Sequence, residues 1–271
     1  MSIPINTILQ HLKLTPQTPS FDYLNQILTA WSSRIPWESA SRIARHQQDG
    51  SPQDYACFAE DFFQNAMKYG TGGTCFESNF AFRTLLSELG FDGSLHFCDM
   101  EKEEPNPHCA VVVEIDGDYF IADVGYPISS PLQLHPHETT TVSTPVYRFT
   151  AIPKVDNCWE IRRSAGNYES QAFVLKGDPP DNKSFCERLI RDHAPSGLFL
   201  DEVILSRTTD SSMWRYSESK GLVKRTTESE ELITLSPQQA ADLPSTLAQI
   251  FDYDRTIIET ALNRHTSIDK G

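Results

Sequence analysis

Three residues of this chain stand where their side chains could act together on a substrate. Cys75 follows the glycine-rich run Gly70-Thr71-Gly72-Gly73-Thr74. It opens a stretch with Phe82, Leu85, Leu86 and Leu89 at helical spacing, closed by Gly90. Thr74 and Glu77 have the spacing of a capping box, in which each side chain satisfies a free backbone N–H at the helix start. Cys75 therefore falls on the first helical residue. There the unpaired N–H groups and the positive end of the helix dipole favour a thiolate, the nucleophilic form, by roughly 0.3–1 kcal/mol. A cysteine at that position is equally an ordinary small core residue, so its reading depends on what the fold brings to it.

His108 and Asp123 flank a hairpin. Residues 109–124 read C-A-V-V-V-E-I-D-G-D-Y-F-I-A-D-V, with Asp116-Gly117 between two β-rich runs. A two-residue turn there sets Ile115 opposite Asp118 and Val113 opposite Phe120. Continued outward, the same ladder sets Ala110 opposite Asp123 and His108 opposite Gly125. Side chains alternate faces along a strand. His108 and Asp123 thus share a face as diagonal neighbours, with Cα atoms roughly 7–8 Å apart. A carboxylate beside an imidazole fixes its tautomer and stabilises the imidazolium once formed. A purely structural His–Asp hydrogen bond fits the same pattern, and a one-residue bulge would undo the register. With Cys75, the pair makes a Cys–His–Asp site for acyl transfer. The imidazole takes the thiol proton, the thiolate attacks a thioester or amide carbonyl, and an N–H at or near Cys75 meets the oxyanion.

The rest of the chain must position these groups. Its 271 residues are 39% hydrophobic and 10% aromatic, enough for a sizeable core. No apolar run reaches the ~18–20 residues of a membrane span. The N-terminus has no basic segment or cleavage signal, which reads as a cytoplasmic protein. The cysteines at 57, 75, 98, 109, 158 and 186 include no C-x-x-C pair, so neither a metal site nor a disulfide framework is expected. A net charge of −14 argues against nucleic acid or an anionic membrane surface as partner. Residues 203–226 run against that background, with Arg207, Arg215, Lys220, Lys224 and Arg225 against only Asp210 and Glu218. Such a face could hold a polyanionic small molecule or could simply be solvated.

Periodicity divides the chain into a helical first part, a strand-rich middle and a mixed end. Helices are expected from Phe21 to Trp31, with Ser20 or Thr18 as cap, and from Tyr55 to Tyr69. A loop is expected over 46–54. After Gly90, strands are expected at 94–98, 109–115, 118–124, 146–151, 159–163 and 171–175, with exposed or irregular chain at 101–107 and 126–145. Lys183–His193 reads as a helix, and 203–207, 213–217 and 222–226 as a meander turning at Lys220-Gly221. A last strand is expected at 232–235, then helices over 237–251 and 254–263.

At several points these residues resemble the arylamine N-acetyltransferase family. T-G-G-T-C-F-E-S-N at 71–79 is similar to its R-G-G-x-C-x-E-x-N, and H-C-A-V-V-V at 108–113 to its histidine strand. D-V-G-Y-P at 123–127 resembles D-V-G-F-G, with P-L-x-L following at 131–134, and I-P-W-E-S at 35–39 resembles I-P-F-E-N. Weaker similarity runs on to L-A-Q-I-F-D at 247–252.

The resemblance implies an α+β fold in three parts. A helical bundle over 1–90 would carry the cysteine, a β-barrel over 91–190 the histidine and aspartate, and 191–271 would form an α/β lid, around a thiol-protease-like Cys–His–Asp site. It implies a ping-pong enzyme moving an acetyl group from acetyl-CoA to an arylamine, arylhydroxylamine or hydrazine. Cys75, His108 and Asp123 would be catalytic. Trp37 and Tyr126 would border the acceptor, and Lys220, Lys224 and Arg225 are candidates for coenzyme A. The departures are Thr71 for the motif's arginine, Trp37 for phenylalanine, Ser39 for asparagine and Pro127 for the second glycine. Thr71 removes a charge partner expected for Glu38 or Glu77. Pro127 removes an N–H that could meet an anion. Two other readings stay open: a related thiol acyltransferase or amide synthase with a longer acyl donor, and a non-catalytic binding protein of the same fold.

Overall fold

A computed structural model describes residues 3–46, 50–100, 107–126, 128–166, 168–209 and 211–268, with side chains to 263. The chain begins with α1 (Ile5–Leu12) and α2 (Phe21–Arg34), and the Ser20 hydroxyl caps α2 by accepting the Tyr23 N–H at 3.2 Å. Pro36 disfavours helix at the residue before it, and Trp37–Glu38 form a two-residue strand, β1. Then come α3 (Ala40–Arg45), α4 (Pro52–Tyr55), α5 (Ala59–Tyr69) and α6 (Cys75–Glu88). The loop expected over 46–54 is thus cut short by α4, which starts on a local capping box: Ser51 donates to the Asp54 carboxylate through N–H and hydroxyl at 2.7 and 2.8 Å.

Strands β2 (Asp92–Asp99), β3 (His108–Ile115), β4 (Asp118–Ile121), β5 (Leu132–Gln133), β6 (Thr140–Ser143), β7 (Arg148–Pro153), β8 (Trp159–Ala165) and β9 (Tyr168–Leu175) form one antiparallel sheet. Its order is β5-β4-β3-β2-β9-β8-β7-β6. The end strands lie side by side, joined where the Thr140 hydroxyl donates to the Gln133 carbonyl, so the sheet nearly closes into a barrel. The stretch 126–145, expected to be irregular, supplies both end strands. They are too short to show an alternating pattern. The loop expected over 101–107 lies, except for Pro107, outside the described residues.

The hairpin register is the expected one: Ile115 faces Asp118 and Val113 faces Phe120. Asp116 and Gly117 both have positive φ, 55° and 86°, the twist that suits a two-residue turn. The ladder ends at Ile121, with one further bond from the Ala122 N–H to the Val111 carbonyl at 2.8 Å. Asp123 lies just beyond it.

After α7 (Asn182–Asp192), strands β10 (Ile204–Thr208), β11 (Met213–Ser217), β12 (Gly221–Arg225) and β13 (Glu230–Leu232) build a second antiparallel sheet in the order β1-β10-β11-β12-β13. Trp37 pairs with Ser206 and Glu38 with Leu205, so this sheet takes its first strand from the N-terminal helical part. The last strand lies just before the apolar run at 232–235, on exposed Glu230, Glu231 and Leu232. The single helix expected over 237–251 is two, α8 (Pro237–Ala241) and α9 (Leu243–Phe251), divided at Asp242, whose carboxylate caps α9 by accepting the Ser245 N–H at 3.3 Å. α10 (Arg255–Ile268) packs on α3.

What matters for the site is how α6 is fixed to the barrel. The Phe76, Phe97 and Phe185 rings, from α6, β2 and α7, meet with centroids 5.7–6.4 Å apart. Phe76 and Phe185 are buried, and each such side chain contributes about 1.5–3 kcal/mol by leaving water.

Candidate active site

Cys75 is buried at the first position of α6. The loop before it is clamped to β1. The Glu38 N–H donates to the Gly73 carbonyl at 3.3 Å, and a Cβ on Gly72 would come within 1.7 Å of the Pro36 carbonyl oxygen, so only glycine allows this approach. The capping box expected between Thr74 and Glu77 does not form. Thr74 extends its hydroxyl to Arg42, which donates to it at 3.3 Å, and makes no cap bond. Glu77 turns to Arg45, 2.5 Å away, and His193, 3.1 Å away. The spacing rule fails because both partners come from distant chain, α3 and the residue after α7.

That correction resolves part of the missing-arginine question. Thr71 is buried and uncharged, but Glu77 has Arg45 in place of a motif arginine. Burial alone would push the Glu77 carboxyl up, yet Arg45 and then His193 pull it down to about 2, so it is an anion at neutral pH. Glu38 has no ion pair among the described residues. It accepts the Ser41 N–H and hydroxyl at 2.8 and 2.6 Å and the Gly72 N–H at 3.2 Å, and burial still pushes its carboxyl up. Beside them Arg42, fully buried, pairs with Asp192 at 2.6 Å, and Arg188 reaches the same carboxylate at 3.3 Å. The start of α6 therefore rests on a buried charged network.

His108 opens β3 and is buried. Its Nε2 is 2.7 Å from Asp123 Oδ2. Asp123 is fully buried, and its Oδ1 accepts from Asn79 Nδ2 at 2.9 Å, Gly125 N at 2.8 Å and Tyr126 N at 3.1 Å. These donors stabilise the carboxylate as an anion. The Cys75 thiol donates to the Pro107 carbonyl, 3.9 Å away and next in the chain to His108, and Cys75 and His108 line the same cavity; with Nε2 committed to Asp123, Nδ1 is the ring nitrogen left to exchange the thiol proton. Burial opposes a charged imidazole, but the Asp123 carboxylate and its hydrogen bond outweigh it, and Cys75 adds to them. His108 is held up at about 10 and is an imidazolium at neutral pH. By contrast, burial pushes the Cys57 thiol up to about 12, and Cys98 and Cys109 well above the ordinary thiol value.

Asn79 was not marked as a site residue from sequence. It lies one helical turn after Cys75 and binds three groups: Asp123, the Cys109 carbonyl at 2.8 Å, and the Val124 N–H at 3.1 Å. Its spacing from Cys75 was the available signal. Gly125 is needed at the same junction, since a Cβ there would lie 2.7 Å from Cys75 Cα.

Cys75 and His108 open onto a cavity of about 720 Å³ between the barrel and the small sheet. Trp37 and Tyr126 line it. Trp37 stands edge-on to Phe199 at 4.9 Å, and Tyr126 edge-on to His108 at 5.7 Å. Lys220 and Arg225 are on the same wall, but Lys224 is not. Along β12, Gly221, Val223 and Arg225 face the cavity, while Lys224 points to the other side with its amine 5.6 Å from the Trp214 ring centroid. Of the three basic residues, Lys224 thus lies on the face of β12 away from this cavity. Pro127 lies outside the described residues. No group of three or more His, Cys, Asp or Glu side chains able to hold a metal occurs among the described residues, and no helix there is long and apolar enough to cross a membrane.

A match to the N-acetyltransferase family spans residues 20–256. An uncharacterised acetyltransferase of Bacillus subtilis, YvcN, is 27% identical over 136 residues, 48% of this chain and 51% of that protein. The chain thus matches about half the length of that curated relative. Among solved structures, the fold is similar to arylamine N-acetyltransferase from Mycobacterium smegmatis, at a TM-score of 0.79 and 17% identity over 96% of this chain and 98% of that one. It is similar to the Mycobacterium marinum enzyme in complex with CoA, at 0.78 and 16% over 95% and 98%. It is also similar to a Bacillus cereus arylamine N-acetyltransferase described with a Cys–His–Glu triad, at 0.74 and 14% over 94% and 100%.

Proposed function

The chain belongs to the arylamine N-acetyltransferase family, and from that premise we propose that it moves an acetyl group from acetyl-CoA to an arylamine, arylhydroxylamine or hydrazine through acetyl-Cys75. The observation that carries this reading is that Cys75 and a His108 fixed by Asp123 line the wall of one cavity.

In the first half-reaction Cys75 Sγ attacks the thioester carbonyl carbon. Negative charge moves to the carbonyl oxygen, within reach of the N–H groups of the first turn of α6, which the helix leaves unbonded. The carbon–sulfur bond to CoA then breaks, and the departing thiolate takes the proton held by His108. In the second, the amine nitrogen attacks the acetyl carbon, His108 takes a proton from that nitrogen, and Cys75 leaves as a thiolate beside the restored imidazolium. Steady-state kinetics with acetyl-CoA and an aniline test the reading. Parallel double-reciprocal lines are expected; intersecting lines would mean direct transfer in a ternary complex.

The phosphates of the donor need local positive charge in a chain of net charge −14. Arg225 is shared with the Glu230 carboxylate and the Tyr147 hydroxyl, whereas Lys220 is exposed at the cavity rim with no ion pair among the described residues. Lys220→Glu is expected to raise KM for acetyl-CoA about fivefold at low salt with little change in kcat, an effect that fades at high ionic strength. A KM that moves neither with the substitution nor with salt would place the phosphates elsewhere.

A further inference from the structure

The small sheet has a second cavity on its other face. Side chains alternate along each strand, so Ser206, Met213 and Arg215 line the cavity of Cys75 while Arg207, Trp214 and Leu222 face away from it. On that far side the end of α2, the sheet, the chain after β13 and helices α8 and α9 leave a cavity of about 630 Å³. Its apolar wall is Trp214, Leu222, Ile233, Leu235 and Ile250. Leu222 belongs to the core around Leu205, Leu247 and Phe251; the other four pack on that core and stay half-buried, because no described side chain covers them.

The charged residues lining this cavity are both cations, Arg34 and Arg207. Arg207 is fixed by two helix ends. Its Nε donates to the Ser33 carbonyl in the last turn of α2 at 2.7 Å, and its Nη1 to the carbonyl of Phe251, the last residue of α9, at 3.0 Å. Its Nη2 has no hydrogen-bond partner among the described residues. Arg34, the last residue of α2, makes no hydrogen bond or ion pair among the described residues.

One carboxylate acts on this pair. Burial pushes the Arg207 guanidinium below its ordinary value, Asp252 opposes that, and Arg34 adds to it. Burial and then Arg34 push the neighbouring His11 imidazole down as well, again against Asp252. Asp252 is exposed, does not line the cavity and forms no ion pair with either arginine. Two half-buried arginines thus share one distant acid, and positive charge is left over at the cavity in a chain of net charge −14.

A concave apolar wall with a few converging polar groups is the form of a small-ligand site, and this volume lies in the usual range of roughly 300–1,000 Å³. A guanidinium held along one edge presents its remaining N–H groups in a plane, which suits a carboxylate. Trp214 is the direct cross-strand neighbour of Arg207, so the apolar wall begins beside the charge. Against an indole, an aromatic body gains ring contacts that an aliphatic chain cannot make.

We propose that this second cavity binds a small aromatic carboxylate, its carboxylate held by Arg34 and Arg207 and its ring against Trp214, Leu222 and Ile250. The site is separate from that of Cys75 and independent of the acetyl-transfer reading.

Calorimetric titration of the intact protein with 2-naphthoate and with its neutral analogue 2-naphthamide tests it. The carboxylate is expected to bind about tenfold more tightly at low salt. In Arg34→Gln that preference should fall to about twofold or less; Arg34 holds no other part of the fold. Trp214→Leu should weaken both ligands about fivefold and leave their ratio unchanged. Neither residue lines the cavity of Cys75, so these changes report on the second cavity. Equal affinities in the native protein, or an undiminished preference in Arg34→Gln, would overturn the proposal. Octanoate binding more tightly than 2-naphthoate would do the same, since the site would then read a chain and not a ring. No acetyl group is transferred in this titration, so its failure leaves the account of Cys75 standing.

Discussion

Asp123→Asn lowers the rate of Cys75 acetylation by about 10⁴ while the protein stays folded. The reason is which proton His108 carries. In the native protein the Asp123 carboxylate accepts from Nε2, which leaves Nδ1 to exchange the thiol proton in the proposed mechanism. Oδ1 is already saturated by donors from Asn79, Gly125 and Tyr126. In the variant the amide oxygen must take that place, because an amide nitrogen there would oppose three N–H groups. The NH₂ then points at Nε2 and donates to it, so the neutral tautomer carries its proton on Nδ1 and cannot accept the thiol proton. The imidazolium also loses the charge that holds it up at about 10 against an ordinary 6.5. That elevation stabilises the native fold fully below pH 6.5, and the stabilisation is lost as pH rises through about 10. Asp123→Asn should therefore remove the alkaline fall in stability as well as the activity. Rapid-quench acetylation rates and denaturation midpoints from pH 6 to 10 read both effects. A variant that acetylates within tenfold of the native rate would remove Asp123 from the mechanism.

The second large effect is on stability. Glu77→Gln is expected to destabilise the protein by about 3–5 kcal/mol, because it leaves Arg45 beside a neutral amide in a buried site. For a chain of this size that corresponds to a melting temperature lower by about 10 °C. The Glu77 carboxyl is held at about 2, below its ordinary 4.5. Its contribution is complete above pH 4.5 and is lost as pH falls towards 2. The native protein should thus lose stability over that window with a steeper slope than the variant. The double variant Arg45→Met/Glu77→Gln should cost less than the sum of its parts, since neither charge is then stranded. Additive losses would mean that the two groups act independently.

The sequence made some of this site legible and hid the rest for physical reasons. Local rules worked where the partner is a few residues away. Asp116-Gly117 sets its own turn, and its register carried outward brings His108 and Asp123 to one face. The apolar stripe from Phe82 to Leu89 and the glycine loop before it gave the start of α6. The same rules failed where a better partner comes from distant chain. Thr74 and Glu77 have the spacing to cap each other, but Arg42, Arg45 and His193 are stronger, charged partners than a pair of neutral backbone N–H groups. β1 is two residues long and has no period to detect; its pairing with Ser206 and Leu205 on one side and with Gly73 on the other defines it. Charge counting found a basic segment but not which side of a strand each side chain takes, and alternation along β12 separates Arg225 from Lys224.

The central claim is that Cys75 carries the acetyl group. Intact-mass spectrometry of the protein after brief exposure to acetyl-CoA, quenched in acid and followed by peptide mapping, tests it directly. One acetyl group is expected, on the peptide containing Cys75, absent from Cys75→Ala and discharged when an arylamine is added. Cys57, Cys98 and Cys109 should stay unlabelled, since burial holds them in the unreactive protonated form, and Cys158 and Cys186 because neither lines the cavity. An acetyl group on any other residue, or a native protein that stays unlabelled by acetyl-CoA but is loaded at Cys75 by a longer acyl donor, would contradict it.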